Sequence, residues 1–215
     1  MSTHREQPSV PMPQAQLSAT ARELAATYEG VFSVQTGERY VFESYAALRR
    51  TATVTVHLTA LAHRFAADRL HALAQAEGAV AKTVPEVLFL CVHNSCRSQM
   101  AAALLTKHGQ ERVHVRSAGS APGSEINPVV VAALAEVGVD LGQEFPRPLT
   151  DDVVAAADVV VSMGCGDACA IYPGKRYLDW TLADPHEQPL DVVRVIRDDV
   201  DRRVRALLAE LAPPA

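Results

Sequence analysis

The chain has 215 residues, of which 48% are hydrophobic and 21% are charged, and this ordinary globular balance excludes disorder of the whole chain. Its 20 lysines and arginines against 25 aspartates and glutamates give a net charge of -5 without a basic stripe, so we expect no nucleic-acid partner. No apolar run reaches the roughly 18 residues of a membrane span, and the start carries prolines in place of an apolar signal sequence. We therefore expect a cytoplasmic protein with no membrane partner.

The first 80 residues predict a flexible tail followed by three amphipathic helices. Residues 1–16 are polar and proline-rich, which favours the tail. Apolar residues then recur at spacings of three and four in stretches that begin at Leu17, Val41 and Leu58. We expect a three-helix bundle over residues 17–80. Because this segment shows no group of catalytic residues and its histidines lack the spacing of a metal site, we expect solvated histidines and a bundle that is dispensable for catalysis.

From residue 84 onward, apolar runs typical of buried strands alternate with helical patterns. This alternation predicts an α/β domain over residues 84–215, with a parallel sheet and right-handed crossovers. The strands are expected at residues 87–90, 113–116 and 159–162, and the helices at residues 98–108, 128–137 and 192–211.

The most informative residues form the loop between the first strand and its helix. Ligands of open α/β sheets bind at the carboxyl ends of the strands, and a loop that enters a helix turns successive N–H groups toward one anion. Cys91 at the start of the loop is the candidate nucleophile, and the helix dipole and Arg97 favour its thiolate. Arg97 also offers a planar fork to two oxyanion oxygens, and Ser98 can donate its hydroxyl proton to the sulfur. The residues expected to bind a tetrahedral oxyanion are Val92, His93, Asn94, Ser95, Cys96, Arg97 and Ser98.

The loop resembles the active-site loop of the low-molecular-weight tyrosine phosphatase superfamily, and within it that of the thioredoxin-coupled arsenate reductases. Those reductases carry Cys-x-Gly-Asn-Ser-Cys-Arg-Ser, which recurs here with His93 in the glycine position. Their Gln-Met-Ala and Ser-Ala-Gly motifs match residues 99–101 and 117–119. The resemblance covers residues 84–211 and implies an open parallel four-stranded sheet with flanking helices. The helical prefix is similar to the three-helix extension of some members. A left-handed backbone at the glycine position would strain His93.

The resemblance also implies a mechanism in which cysteines reduce arsenate. Cys91 would attack arsenic beside Arg97, and Asp184, in an Asp-Pro turn that is similar to the family's general-acid loop, would protonate the leaving oxygen. Cys165 would then attack the Cys91 sulfur and release arsenite, and Cys169 would carry the disulfide outward to thioredoxin. Phosphate and sulfate are expected to mimic arsenate in the loop.

Two other functions stay open at this point. A low-molecular-weight protein tyrosine phosphatase would use the same loop, and a redox-sensing interaction protein would use the cysteines without the oxyanion site. The cysteine spacings differ from those of zinc knuckles, and Ala102 stands where some reductases have a glutamate that helps to bind potassium. We therefore expect neither a metal site nor a cofactor.

Overall fold

The structure is a computed structural model that describes residues 12–52, 56–164 and 171–213. Within these residues, three helices precede the first strand, and the sheet region that follows has four strands, four helices and a short 3-10 turn at Gln110–Arg112. In chain order the elements are α1 (Gln14–Thr27), α2 (Val34–Arg49), α3 (Leu58–Ala76), β1 (Glu86–Cys91), α4 (Arg97–Gly109), β2 (His114–Gly119), α5 (Pro128–Ala135), α6 (Asp151–Ala156), β3 (Val159–Ser162), β4 (Arg176–Asp179) and α7 (Leu190–Leu211).

The four strands form one parallel sheet in the order β2-β1-β3-β4, which confirms the predicted fold class. All six residues of β1 are buried, as expected for a central strand that is covered on both faces. Its register pairs Cys91 with Gly119 of β2, so both lie at the carboxyl edge of the sheet. The spacing of apolar residues does not predict β4, because this short strand at the edge has exposed Arg176 and Asp179 at its ends.

Side chains of β1 alternate between two cores, one on each face of the sheet. Phe89 and Cys91 belong to the core that α4, α5 and α7 cover. Leu88 and Leu90 belong to the opposite core, which α6 and one residue of α3, Ala72, cover. The Cys91 side chain therefore lies on the face of the sheet that carries α4.

The three N-terminal helices share a core of their own, into which the later part of the chain inserts Phe145. Arg69 of α3 is buried and donates from Nε to Asp152 Oδ2 of α6 at 2.9 Å. Its guanidinium also contacts Glu43 Oε2 at 3.1 Å and lies over the Tyr40 ring, with 4.5 Å to the centroid. The bundle is thus joined to the sheet domain by a buried ion pair as well as by apolar packing.

A second polar junction joins α3 to the start of the sheet. Arg116 of β2 donates from Nη1 to the carbonyl of Asp68 at 2.9 Å and from Nε to buried Glu86 at 3.3 Å. Burial raises the pKa of Glu86, but its hydrogen bond with His114 and the charge of Arg116 outweigh this and hold the pKa below its usual range. His71 is partly exposed and lies with its ring centroid 5.8 Å from that of His114, and partial burial lowers the pKa of its imidazole.

Within the described residues, no helix is long and apolar enough to cross a membrane.

Candidate active site

The carbonyl groups of the loop between β1 and α4 point outward, toward residues 120–127. Four of its carbonyls accept hydrogen bonds from N–H groups of residues 120–127, which lie outside the loop. In a trans peptide, the carbonyl of one residue and the N–H of the next point in opposite directions, so the N–H groups of residues 92, 93, 94 and 96 point away from residues 120–127. The hydrogen bonds are Ser120 N to Cys91 O (3.3 Å), Ala121 N to Val92 O (2.8 Å), Gly123 N to His93 O (2.8 Å) and Asn127 N to Ser95 O (3.0 Å).

The Cys91 sulfur lies among hydrogen-bond donors. It accepts from the Asn94 N–H at 3.2 Å and lies 2.9 Å from Ser98 Oγ. Ser98 Oγ itself accepts from Asn94 Nδ2 at 2.8 Å, so the one hydroxyl proton of Ser98 is free to point at the sulfur. Both are the kind of donor that would stabilise negative charge on a sulfur atom.

Asn94 holds the shape of the loop. Its Oδ1 accepts from the backbone N–H of Arg147 at 2.7 Å and from Gln99 Nε2 at 3.0 Å. A backbone N–H can only donate, so the Arg147 contact fixes which end of the Asn94 amide is oxygen and which end donates to Ser98. Asn94 is completely buried, and its φ of 48° lies in the left-handed region that asparagine tolerates.

His93 replaces the glycine of the family motif without strain. The positive φ of the loop falls on Asn94, and the backbone of His93 does not adopt one. The His93 side chain is exposed to solvent. The condition under which His93 would be strained, a left-handed backbone, is therefore not met, and the position does not need glycine.

Gly119, at the end of β2, packs closely against the backbone of the loop. A Cβ at this position would lie 2.7 Å from Val92 O and 2.9 Å from Asn94 N, which are both backbone atoms. Only glycine permits so close an approach. The carbonyl of Gly119 accepts from the Leu149 N–H at 2.9 Å, and its own N–H donates to Arg147 O at 2.8 Å.

Arg97 extends from the first turn of α4 to the mouth of the loop. Its Nη2 donates to Asp184 Oδ2 at 3.3 Å, and its buried Nε has no hydrogen-bond partner among the described residues. The backbone of Gly164, with a φ of 77°, packs against the Arg97 guanidinium. A Cβ at this position would lie only 3.0 Å from Arg97 Nη1. An oxyanion beside the Cys91 sulfur would supply the acceptor that Nε lacks.

Asp184 lies opposite the loop and remains accessible to solvent. Its Oδ1 accepts from the His186 N–H at 3.1 Å, which closes a turn through buried Pro185. Upstream of this turn, Trp180 is buried with its ring centroid 5.7 Å from that of Phe89 in β1. The segment that carries the carboxylate is therefore anchored to the same strand that carries Cys91.

A family model described as low molecular weight phosphotyrosine protein phosphatase matches residues 86–214. The chain belongs to this family. A second model, described as the N-terminal domain of protein-tyrosine-phosphatase-like proteins, matches residues 17–74, which span α1 to α3.

Several proteins that this chain is similar to are named as arsenate reductases. The solved structure of a thioredoxin-dependent arsenate reductase from Corynebacterium glutamicum is 52% identical and covers 93% of this chain and 98% of its own, with a TM-score of 0.84. A structure of an arsenate reductase in a phosphate-binding state is 34% identical and covers 60% of this chain and 100% of its own, with a TM-score of 0.52. A glutaredoxin arsenate reductase from Synechocystis sp. is 34% identical over 131 residues, which are 59% of this chain and 98% of that protein.

The two described cysteines differ in their surroundings. Cys96 immediately precedes α4, and burial, with the nearby negative charge of Asp184, raises the pKa of its thiol. Its contact with Ser95 Oγ is long, at 3.7 Å. Burial therefore disfavours the thiolate of Cys96, whereas the Asn94 N–H and the Ser98 hydroxyl both contact the Cys91 sulfur. Cys165 and Cys169 lie outside the described residues.

Sequence reasoning missed the residues that hold the loop from outside. Phe145 and Arg147, about fifty residues downstream, contact Gln99 and Asn94 through their backbones, and nothing in the sequence marked them. Gly119 could be noticed in the sequence because it ends the Ser-Ala-Gly motif, but the motif does not show why a glycine is needed there. Over the described ranges, no group of three histidines, cysteines or acidic residues is arranged to hold a metal ion.

Proposed function

We propose that this protein reduces arsenate to arsenite with a cysteine nucleophile, and that thioredoxin regenerates it. The observation that carries the proposal is the Cys91 sulfur, which the Asn94 N–H and the Ser98 hydroxyl contact, in the same loop as Arg97, whose buried Nε has no hydrogen-bond partner among the described residues. Arsenate, phosphate and sulfate are tetrahedral oxyanions that match this arrangement. The family and its arsenate-reducing relatives support arsenate as the substrate.

The first step joins sulfur to arsenic. The Cys91 thiolate attacks arsenic(V) and forms an S–As bond, and one As–O bond breaks as its oxygen leaves with a proton from Asp184. Arg97 and the N–H groups of the loop hold the remaining oxygens and stabilise their charge. Ser98 keeps the thiolate oriented through its hydroxyl, 2.9 Å from the sulfur.

The second step moves two electrons to arsenic. We assign Cys165 as the thiolate that attacks the Cys91 sulfur, so the S–As bond breaks, its electron pair stays on arsenic, and arsenite leaves. Gly164, the last described residue before Cys165, lies against Arg97, which supports this assignment. Cys169 then attacks Cys165 and frees Cys91, and the dithiol of thioredoxin reduces the resulting Cys165–Cys169 disulfide. A reducing compartment supplies thioredoxin, so we place the enzyme in the cytoplasm.

The direct test is arsenate-dependent NADPH consumption in the presence of thioredoxin and thioredoxin reductase. Wild-type protein should turn over, and Cys91→Ser should not, because a serine hydroxyl cannot form the disulfide. Cys165→Ser should stop arsenite release, whereas Cys169→Ser should complete one round and trap a Cys91–Cys165 disulfide, which peptide mass mapping detects. If both distal variants turned over with thioredoxin as fast as wild type, the cascade would be refuted.

A phosphatase is the second candidate, since Cys91, Arg97 and Asp184 are what phosphoester hydrolysis needs and the family model is that of phosphatases. The residues that follow Pro185 are His186, Glu187 and Gln188, and none of them is a phenylalanine, tyrosine or tryptophan that would form a large aromatic wall for phosphotyrosine. Hydrolysis of a small aromatic phosphate by wild type and Cys165→Ser separates the two functions. A phosphatase would hydrolyse it with both proteins and would consume no NADPH with arsenate.

A further inference from the structure

The loop that carries Cys91 is tied to the N-terminal bundle through one short segment, residues 143–147. Phe145, in the middle of this segment, is buried in the core of the bundle. Its carbonyl accepts from Gln99 Nε2 at 3.1 Å, and the same Nε2 donates to Asn94 Oδ1 at 3.0 Å. Two residues later, the Arg147 N–H donates to the same oxygen at 2.7 Å. Both hydrogen bonds that fix the Asn94 amide oxygen therefore depend on where this segment lies.

Helix α3 of the bundle holds the segment from the other side. The Arg64 guanidinium lies over the Phe145 ring, with 5.3 Å to the centroid, and donates to the carbonyl of Gln143. The Arg147 guanidinium lies over the same ring at 4.3 Å and reaches Asp68 Oδ2 at 3.5 Å. Cation–π contacts and an aromatic ring in an apolar core together favour one position of the backbone.

We propose that Phe145 is a positioning residue through which the bundle holds Asn94, and with it the oxyanion-binding loop, in the reactive arrangement. Asn94 supplies the N–H that reaches the Cys91 sulfur and the amide that orients Ser98. A shift of the segment would turn the Asn94 amide and would misalign both donors. The proposal departs from the expectation that the bundle is dispensable for catalysis. As far as it concerns turnover, it rests on the proposed function.

The test compares full-length variants by two measurements that do not need turnover. One is the dissociation constant of inorganic phosphate by calorimetry, and the other is the alkylation rate of the Cys91 peptide at neutral pH by mass spectrometry. Phe145→Ala should weaken phosphate binding about tenfold, which corresponds to about 1.4 kcal/mol, and should slow alkylation. Phe145→Leu, which keeps the apolar bulk, should restore most of both. Arg64→Ala acts from the bundle side at a half-exposed position and should produce a smaller loss in the same direction, about threefold.

Two control variants separate positioning from a general loss of stability. Leu208→Ala makes a buried cavity in α7 beside Gly109, at the far end of α4 from the loop, and should lower stability without changing either measurement. Arg39→Ala removes another arginine that lies over a bundle tyrosine, 5.4 Å from the Tyr40 ring, away from residues 143–147. Thermal unfolding sets a temperature at which every variant is folded.

Each outcome decides the proposal. If Phe145→Ala and Arg64→Ala weaken phosphate binding and slow alkylation while the controls do not, the bundle positions the loop, even if the wild type does not reduce arsenate. If both variants bind phosphate and react as the wild type does, or if Leu208→Ala changes the two measurements as much as Phe145→Ala, the positioning role is overturned. Even if the positioning role were overturned, arsenate reduction by the wild type would still support the proposed function.

Discussion

Replacement of Gly119 by alanine should disable the active-site loop without removing any side chain that takes part in chemistry. The added Cβ would lie 2.7 Å from Val92 O and 2.9 Å from Asn94 N. Ordinary contact begins at 3.4 Å, so the carbonyl of Val92 must retreat by about 0.7 Å. That carbonyl accepts from the Ala121 N–H at 2.8 Å, and the Asn94 N–H donates to Cys91 Sγ at 3.2 Å. The methyl group therefore strains a contact on each side of the loop.

The expected magnitude follows from the kind of atoms that must move. Both close neighbours are backbone atoms, which cannot rotate away as a flexible side chain would, and overpacking of this kind costs about 1–3 kcal/mol. A displacement of the N–H groups that face the oxyanion lowers the rate much more than it lowers stability, because a misplacement of 1 Å costs about 100-fold. We expect Gly119→Ala to stay folded, to bind phosphate at least about tenfold more weakly and to reduce arsenate about 100-fold more slowly.

Gly123→Ala is the matched control. Gly123 follows Gly119 by four residues, and its N–H donates to His93 O at 2.8 Å. A Cβ at Gly123 would meet no atom closer than 3.8 Å, and the backbone there does not have a positive φ. Phosphate calorimetry and the coupled thioredoxin assay should give near-wild-type values for Gly123→Ala. Equal behaviour of the two variants, whether both are active or both are inactive, would refute the reasoning from close approach.

Three further changes test the site and the junction beneath it. Arg97→Lys keeps the charge but loses the planar fork, so the dissociation constant of phosphate should rise more than about tenfold in calorimetry; an unchanged constant would contradict a forked contact. Ser98→Ala removes the hydroxyl that lies 2.9 Å from Cys91 Sγ and leaves the Asn94 amide without its acceptor. The first turnover of arsenate, measured by stopped flow, should therefore be at least about tenfold slower than in the wild type. Thr106→Ala, at an exposed position of α4, should leave that rate unchanged. The lowered pKa of Glu86 means that its carboxylate stabilises the fold above its unfolded pKa, and that this contribution is lost as the pH falls through the folded value. Urea titrations at a series of pH values should therefore show acid destabilisation that Glu86→Gln reduces, at a cost of about 1–3 kcal/mol at pH 7, and a variant that retained the full pH dependence would place the effect elsewhere.

Short-range patterns predicted most of the α/β domain but not all its elements. The continuous apolar run of β1 and the amphipathic period of α7 are strong signals, and both elements lie within two residues of their predicted bounds. Helix α6 has only six residues, and β4 is a short edge strand with charged ends. Neither element is long enough to show the periodic pattern of apolar residues that predicts a helix or a strand. The fourth strand was expected only because of the family resemblance.

The sequence by itself determined which reactive and polar groups share the loop, because Cys91, Asn94, Arg97 and Ser98 lie within eight residues between a strand and a helix. Tertiary structure alone decided what keeps the loop in shape. Gly119 behind the loop, and Phe145 with its neighbours beside it, act through backbone contacts between residues that are far apart in the chain. Such contacts depend on how β2 and the bundle pack, and a backbone carbonyl or N–H is the same in every residue type. For this reason no residue pattern revealed them.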